Sequence, residues 1–557
     1  MKNNVKNRNV AFKPSQKRKE AGSIQKKKRA QHFFEKMLKE EAKQFCLNTA
    51  LHGYKFIVLP KRILLERVVW VIVCVVALIA ALSLLVVAWT SFKRNPTVIV
   101  TDSNHYSIWN YHFPAITICD YNVISKKRAY LLARKLLKSV DGRGVEKLAW
   151  DLRLLVQLLK QTHLEAPEST YNQLQDILDA NNITVDKALG QLAPRCESIL
   201  TRCLWKGEEK RCESIFEQIK TSEGYCCAFN YYALRNHTFG GCCRALASKV
   251  PKQPRRVSAC GHQSGLEILV NSNPNDYFAS FMPSTGQKMM IHNPYYYPDW
   301  TLQAILNPRK ILNLISVSPT ITYCTEDVAG MPSETRRCLL PNEKDLIYFK
   351  NYNFHNCMVE CRMNTTIKMC NCTPFVYVHS GVNSTDVKIC TLRDVKCLRQ
   401  HQKLLISASL GHNVTSKDFT TLEKVTGRAC GCLPDCESTE YYAESSAGVL
   451  NFKYIRSNAY ADVKVTNDSS ILNVYFNDLV GIKNRMDVKF DWHTLLAYYG
   501  GLLGLFLGFS FVSGVEIIYF FVVRLTTGLV KNKNDKKKRE TRRSVARPER
   551  LTFGWLE

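Results

Sequence analysis

The sequence predicts a membrane protein in which two transmembrane helices flank a large, disulfide-rich α+β ectodomain. Three observations carry that prediction. One long apolar segment lies near each end of the 557-residue chain, each has a basic outer flank, and nearly all cysteines and glycosylation triplets fall between them.

Residues 1–67 hold 18 Lys/Arg against 5 Asp/Glu, and residues 524–557 hold 11 against 4, so the tails supply 20 of the net +29. A charge this large first suggests nucleic acid. Confined to tails beside apolar segments, it reads instead as an orientation signal and a contact for anionic lipid. The basic stretch ahead of Phe45 is read as disordered. Next comes Val68–Trp89, with no ionisable side chain except Cys74; its 22 residues would rise about 33 Å, enough for a hydrocarbon core of about 30 Å. Trp70 and Trp89 stand near its ends, where amphipathic rings favour the interface. The second apolar segment is about Leu502–Val523. Basic runs at 61–67 and 531–540 place both termini in the cytoplasm by the positive-inside rule, and everything between the spans outside. The expected organisation is a cytoplasmic region 1–67, a first span 68–92, an extracellular domain 93–495, a second span 496–524 and a basic cytoplasmic tail 525–557.

The loop agrees with that topology. Its N-x-[ST] triplets stand at Asn182, Asn236, Asn364, Asn371, Asn383, Asn413 and Asn467, and neither tail has one. Twenty of the 22 cysteines lie between Cys119 and Cys436, a density that reads as a disulfide framework in an oxidising compartment. Ten of them crowd into 338–436, where bridges are expected to do what a small core cannot. Apolar residues at helical spacing predict helices across 124–220. Short β-branched runs such as PTVIVTD, FPAITIC, LEILVNS, QKMMIHN, ILNLISVSPTITYC, ILNVYFND and MDVKFDW predict strands. The cysteine spacings do not match a zinc site. The loop has no HExxH, no GxSxG and no phosphate loop, and His262 has no partnered nucleophile. The expectation is no enzyme, no metal and no cofactor.

The second apolar segment is unusual. Gly500, Gly504 and Gly508 recur every fourth residue, a spacing that lets backbones approach closely. Glu516 lies well inside the run, and a carboxylate at that depth costs several kcal/mol unless it faces water or a bundle interior. Small residues, hydroxyls and an acid together suggest an ion path, because irregular backbone at membrane depth survives only around a cavity or within protein. Two helices cannot enclose a pore, so several chains must share one.

These residues resemble the epithelial sodium channel/degenerin family, most of all its insect pickpocket branch, over about 45–525. The resemblance rests on FCLNTALHGYKFI with Phe45, Thr49, His52 and Gly53, on NPTVIV, FPAITIC and SGLEILV, on the ten-cysteine block, and on GGLLGLFLGFS with VEIIYF. It implies a trimeric channel, homomeric or heteromeric with related subunits, with finger, thumb, palm, knuckle and β-ball regions. It implies a selectivity filter at Gly508, Phe509 and Ser510, pore or vestibule positions at Ala497, Gly504 and Glu516, and gating positions at His52, Gly53 and Ala497. It also implies the bridges Cys119–Cys226, Cys203–Cys212, Cys338–Cys436, Cys357–Cys432, Cys361–Cys430, Cys370–Cys397 and Cys372–Cys390. Cys196, Cys227, Cys242, Cys243, Cys260 and Cys324 stay unassigned. Phe509 departs from the small residue common at the middle of the belt, and a ring of that size is expected to point between helices. The implied function is a plasma-membrane, sodium-preferring, amiloride-sensitive-type cation channel gated by an extracellular ligand or by mechanical load, with Na⁺ as permeant ion. Neither span carries a voltage-sensor arginine series. The alternative is a glycosylated cell-surface receptor or accessory subunit without its own pore.

Overall fold

The computed structural model describes residues 15–545 except 138–141, 161–165, 236–250, 378–387, 403–429, 452–459 and 461–464. It separates into two compact units: residues up to Pro96 together with those from Lys489 onward, and Thr97–Val488.

In the first unit, the apolar segment 68–89 lies inside a 31-residue helix, Leu64–Arg94. Val76, Ile79, Val86 and Val87 are exposed along it, the surface a lipid-facing helix presents. The second apolar segment is not one helix. Trp492–Leu507 is helical, the helix stops, and a second begins at Phe511–Ile518, passing through a π-helical stretch, Tyr519–Arg524, into Leu525–Val545. The 16 residues of Trp492–Leu507 rise only about 24 Å, short of a bilayer core, so crossing requires the chain beyond the break. Among the described residues two helices are long and apolar enough to span a membrane, Leu64–Arg94 and the stretch Phe511–Lys531. Ser15–Asn48 is one helix, contrary to the disorder expected of the basic N-terminal stretch. Its run of Lys, Glu, Gln and Ala has good helix propensity and no proline.

The described residues of the second unit form three sheets. Strands β1–β15 are Thr97–Ser107, Ala115–Asp120, Asn122–Ser125, Leu200–Trp205, Glu208–Lys210, Phe216–Thr221, Gly224–Phe229, Leu266–Asn271, Tyr277–Ser280, Gly286–His292, Ala304–Pro308, Ile311–Cys324, Ser438–Val449, Ser469–Phe476 and Val480–Val488. The largest sheet runs β1-β15-β12-β14-β8-β4-β5, with β13 also on β12; a five-stranded sheet runs β11-β10-β2-β7-β6, and β3 pairs with β9. The long β12 organises the first. It lies antiparallel to β13 from Ile311↔Val449 to Thr322↔Ser438, and parallel first to β14 and then to β15. Its inward residues Ile315 and Val317 join Phe113, Ile116, Ile118, Leu472, Val474 and Phe476 in one core. A second core gathers the helices Lys126–Leu137, Glu168–Ala180 and Val185–Leu192 with Phe349, Met358 and Phe375. Beyond Leu192 the helical expectation over 124–220 is met only by the single turns Cys196–Ile199 and Cys212–Ile215; from Leu200 the chain is mostly strand. There the runs are short, and backbone pairing with β8 and β7 decides the conformation.

Among the described residues eight disulfides tie this unit together. They include Cys119–Cys226, Cys203–Cys212 and the nested set Cys338–Cys436, Cys357–Cys432, Cys361–Cys430, Cys370–Cys397 and Cys372–Cys390. The eighth, Cys196–Cys227, joins two cysteines that sequence reading left unassigned. Cys260 and Cys324 are free thiols, while Cys242 and Cys243 lie outside the described residues.

Candidate ion pathway

The break in the second apolar segment is built by hydrogen bonds that leave the helical register. Gly508 takes the left-handed conformation, φ 65°, and closes the preceding helix by donating its N–H to the Gly504 carbonyl at 2.9 Å. The N–H of Phe509 goes to the Leu503 carbonyl at 3.2 Å rather than to Leu505. Ser510 then caps the next helix: its Oγ accepts from the Ser513 N–H at 3.3 Å, while Ser513 Oγ accepts from the Ser510 N–H at 3.4 Å. The amides that a continuous helix would give to the carbonyls of Leu505, Phe506 and Phe509 are thus all spent elsewhere. Carbonyls released at a helix C-terminus carry partial negative charge and can coordinate a cation.

A segment from the other end of the chain seats against the break. His52 donates its backbone N–H to the Leu507 carbonyl at 2.9 Å. Its ring lies so close to Gly508 that a Cβ there would be 2.6 Å from Cδ2, which with the positive φ makes glycine obligatory. Gly53, φ 83°, turns the chain back onto the first apolar helix, where a Cβ would meet Cys74 Sγ at 2.8 Å and Trp70 at 3.3 Å. The His-Gly pair therefore touches both apolar helices: His52 meets Leu507 and Gly508 and its carbonyl accepts from Cys74 Sγ at 3.7 Å, while Gly53 packs on Cys74 and Trp70. Thr49, buried, donates its hydroxyl to Glu516 Oε2 at 3.2 Å. Phe45 packs edge-on to Phe520 and Phe521, with centroids 5.8 and 5.3 Å away.

The structure brings His52, Gly53, Gly508, Ser510 and Glu516 into this one region. Glu516 is half-buried with a hydroxyl partner. The Phe509 ring folds back onto the distal helix, its Cζ 3.5 Å from where a Cβ of Gly514 would stand. Ala497 stands apart, exposed on the proximal helix. The three spaced glycines do not share one role: Gly500 meets nothing within 4 Å, Gly504 faces the Phe509 carbonyl at 3.9 Å, and Gly508 lies beyond the helix end. Sequence reasoning missed Ser513 and the Leu507 carbonyl; the serine was legible in the S-x-x-S spacing of a capping pair, whereas the carbonyl carries no side-chain signal. Asn182, Asn364, Asn371 and Asn467 are exposed in the ectodomain; Asn236, Asn383 and Asn413 lie outside the described residues.

Two candidate membrane-spanning helices, Leu64–Arg94 and Phe511–Lys531, the second preceded by the break at Gly508–Ser510, and a disulfide-stapled α+β domain between them in the chain fit a membrane protein. The chain belongs to the amiloride-sensitive sodium channel family, whose profile it matches over residues 45–520. It is 26% identical to the sodium channel protein Nach of Drosophila melanogaster, covering 92% of this chain and 91% of that protein. Pickpocket protein 28 of the same organism is 24% identical, over 87% of this chain and 79% of the relative. The bile acid-sensitive ion channel of Mus musculus is 23% identical over 86% of each. The family is one of plasma-membrane ion channels, not of enzymes, and the comparisons point to a cation channel subunit.

Proposed function

We propose that the chain is a subunit of a trimeric, non-voltage-gated, sodium-preferring channel, with both termini cytoplasmic and finger, thumb, palm, knuckle and β-ball regions outside. Amiloride sensitivity and gating by an extracellular ligand or by load belong to the same reading. One observation carries it: the break at Gly508–Ser510, where carbonyls leave the helical ladder in the middle of an apolar run. A chain that used this segment only as an anchor would gain nothing from that disruption. The proximal helix also keeps a free face in the single chain, with Gly500 and Gly501 meeting no neighbour and Leu505 74% exposed, which suits packing against further copies around an axis. In this assembly the released carbonyls replace part of the hydration shell of Na⁺, and Glu516 raises the local cation concentration.

The test is voltage clamp of cells expressing the chain alone and with related subunits, before and after Ala497→Trp. A bulky residue at Ala497 is expected to hold the pore open and yield a standing inward Na⁺ current, and Glu516→Gln is expected to lower its conductance. No current in any combination, with protein demonstrated at the surface, would sink the reading. Na⁺/K⁺ reversal potentials under bi-ionic conditions measure the selectivity.

A further inference from the structure

Within the ectodomain a cavity of about 330 Å³ opens beside the helix Phe354–Cys370. Leu159, Trp300, Pro374 and Leu398 line it, and none of them is fully buried, so each presents surface to whatever enters. They come from separate stretches of the chain. Two bridges tie one side of the cavity together. Cys370–Cys397 joins the end of the helix to the residue before Leu398, and Cys372–Cys390 fixes the turn that leads to Pro374. Walls held in this way have little freedom to close over the space, so the cavity is preformed.

Charged side chains also reach the wall, and each is already engaged. Arg362 holds the Asp299 carboxylate, and its guanidinium carbon lies 4.7 Å from the centre of the Trp300 ring. Glu223 is paired with Lys288 at 2.6 Å. Arg399 donates to the Tyr171 hydroxyl at 3.2 Å. Lys160 is exposed to water, with Nζ 5.8 Å from the centre of the Phe281 ring. A charged ligand entering here gives up hydration and finds only groups that are already in use. Apolar surface, by contrast, is left uncovered: Trp300 stays 38% exposed although Arg362 lies over its ring. The cavity is about twice the roughly 150 Å³ that admits one benzene ring, a volume that matches two fused rings.

We propose that this cavity binds an uncharged bicyclic aromatic molecule, lodged between Trp300 and Leu398 with Leu159 and Pro374 closing its edges. The proposal concerns the ectodomain alone and does not rest on the channel reading, so its test reads binding and not current.

The experiment uses the full chain in lipid nanodiscs with 5-fluoroindole as probe, followed by fluorine NMR against empty nanodiscs, which account for partition into lipid. Saturable binding beyond that partition is expected. Indole-3-acetate and tryptamine, the same ring carrying a carboxylate or an ammonium, are expected to displace the probe at least tenfold less well than indole does. Leu398→Trp, which fills the cavity and changes no charge, is expected to abolish the saturable part. Trp300→Ala, at a partly exposed position that burdens the fold less, is expected to weaken it at least threefold and is the second reading should Leu398→Trp not fold. The proposal is overturned if the parent shows no saturable binding, if either charged analogue displaces the probe as well as indole does, or if a folded variant of the two binds as the parent does.

Discussion

Two regions of this chain fix their backbone by opposite means. Between Cys338 and Cys436 five nested disulfides hold a segment whose described residues form no strand of the three sheets. Around Gly508 the chain is bent by a left-handed glycine, a pair of reciprocal serine bonds and one amide borrowed from His52, none of them covalent. The first arrangement leaves one geometry available whatever the solvent does. The second can be undone by a few kcal/mol, the scale on which a two-state element is switched. Covalent rigidity falls in the cysteine-rich segment, and marginal bonding falls at the helix break.

That contrast can be broken most severely at the bridges. Cys357–Cys432 and Cys361–Cys430 close loops that nearly coincide. Replacing either pair by serine leaves its neighbour in place, and the expected loss is about 2 kcal/mol; replacing both leaves Cys338–Cys436 alone to close the outer loop, a further loss of about 3 kcal/mol. Thermal unfolding of the three variants tests this redundancy, and two single losses that simply add to the double would contradict it.

A smaller effect is expected at the break itself. Gly508→Ala places a methyl group on the His52 ring at a positive φ. The strain is about 1–2 kcal/mol before any repacking, and current at constant surface expression should fall at least tenfold. His52→Ala in the same chain should restore part of it, because the clash is mutual. If the double variant is no better than Gly508→Ala, the contact is not the cause.

Even the stapled region keeps an electrostatic sensitivity. Burial pushes the Asp435 carboxyl up to about 6, against a partial opposing effect of the Phe354 N–H and the Tyr296 hydroxyl. A carboxyl raised above its unfolded value of 3.8 contributes stability that is complete below that value and is lost as pH rises through 6. His292 acts with the opposite sign: burial lowers it to about 4, so its contribution is present above 6.5 and is lost as pH falls through 4. Asp435→Asn removes the first response and keeps the second. Between pH 7 and pH 5 the parent should gain about 1 kcal/mol relative to this variant, read from unfolding curves at the two pH values. A parallel shift of both proteins would place the titration elsewhere.

The smallest expected change is at Thr49. Thr49→Val deletes its bond to Glu516, worth about 1 kcal/mol. Thr49→Ser keeps the hydroxyl and should behave as the parent. A few-fold change in open probability in the valine variant alone would show that this bond biases the gate; equal effects of Val and Ser would assign them to packing.

Much of the architecture was readable before folding because it depends on local signals. The apolar length of 68–89 and the β-branched run of β12 each announce their structure over a window of one or two dozen residues. Where the local signal is absent, reading failed. Strand β13, STEYYAESSAGV, has no alternating pattern and is a strand because its backbone pairs with β12 along its whole length. The buried Arg362–Asp299 pair joins residues that nothing in the sequence marks as partners.

By itself the sequence determined which segments are apolar enough to leave water, where small and polar residues interrupt them, and which region is dense enough in cysteine to be stapled, since composition and spacing act over short distances. Only the tertiary structure decided that the turn at His52–Gly53 comes to rest against Gly508, which carbonyls the break releases, and that Cys196 takes Cys227. Those outcomes depend on close contact between residues far apart in the chain, and no local pattern encodes which surfaces will meet.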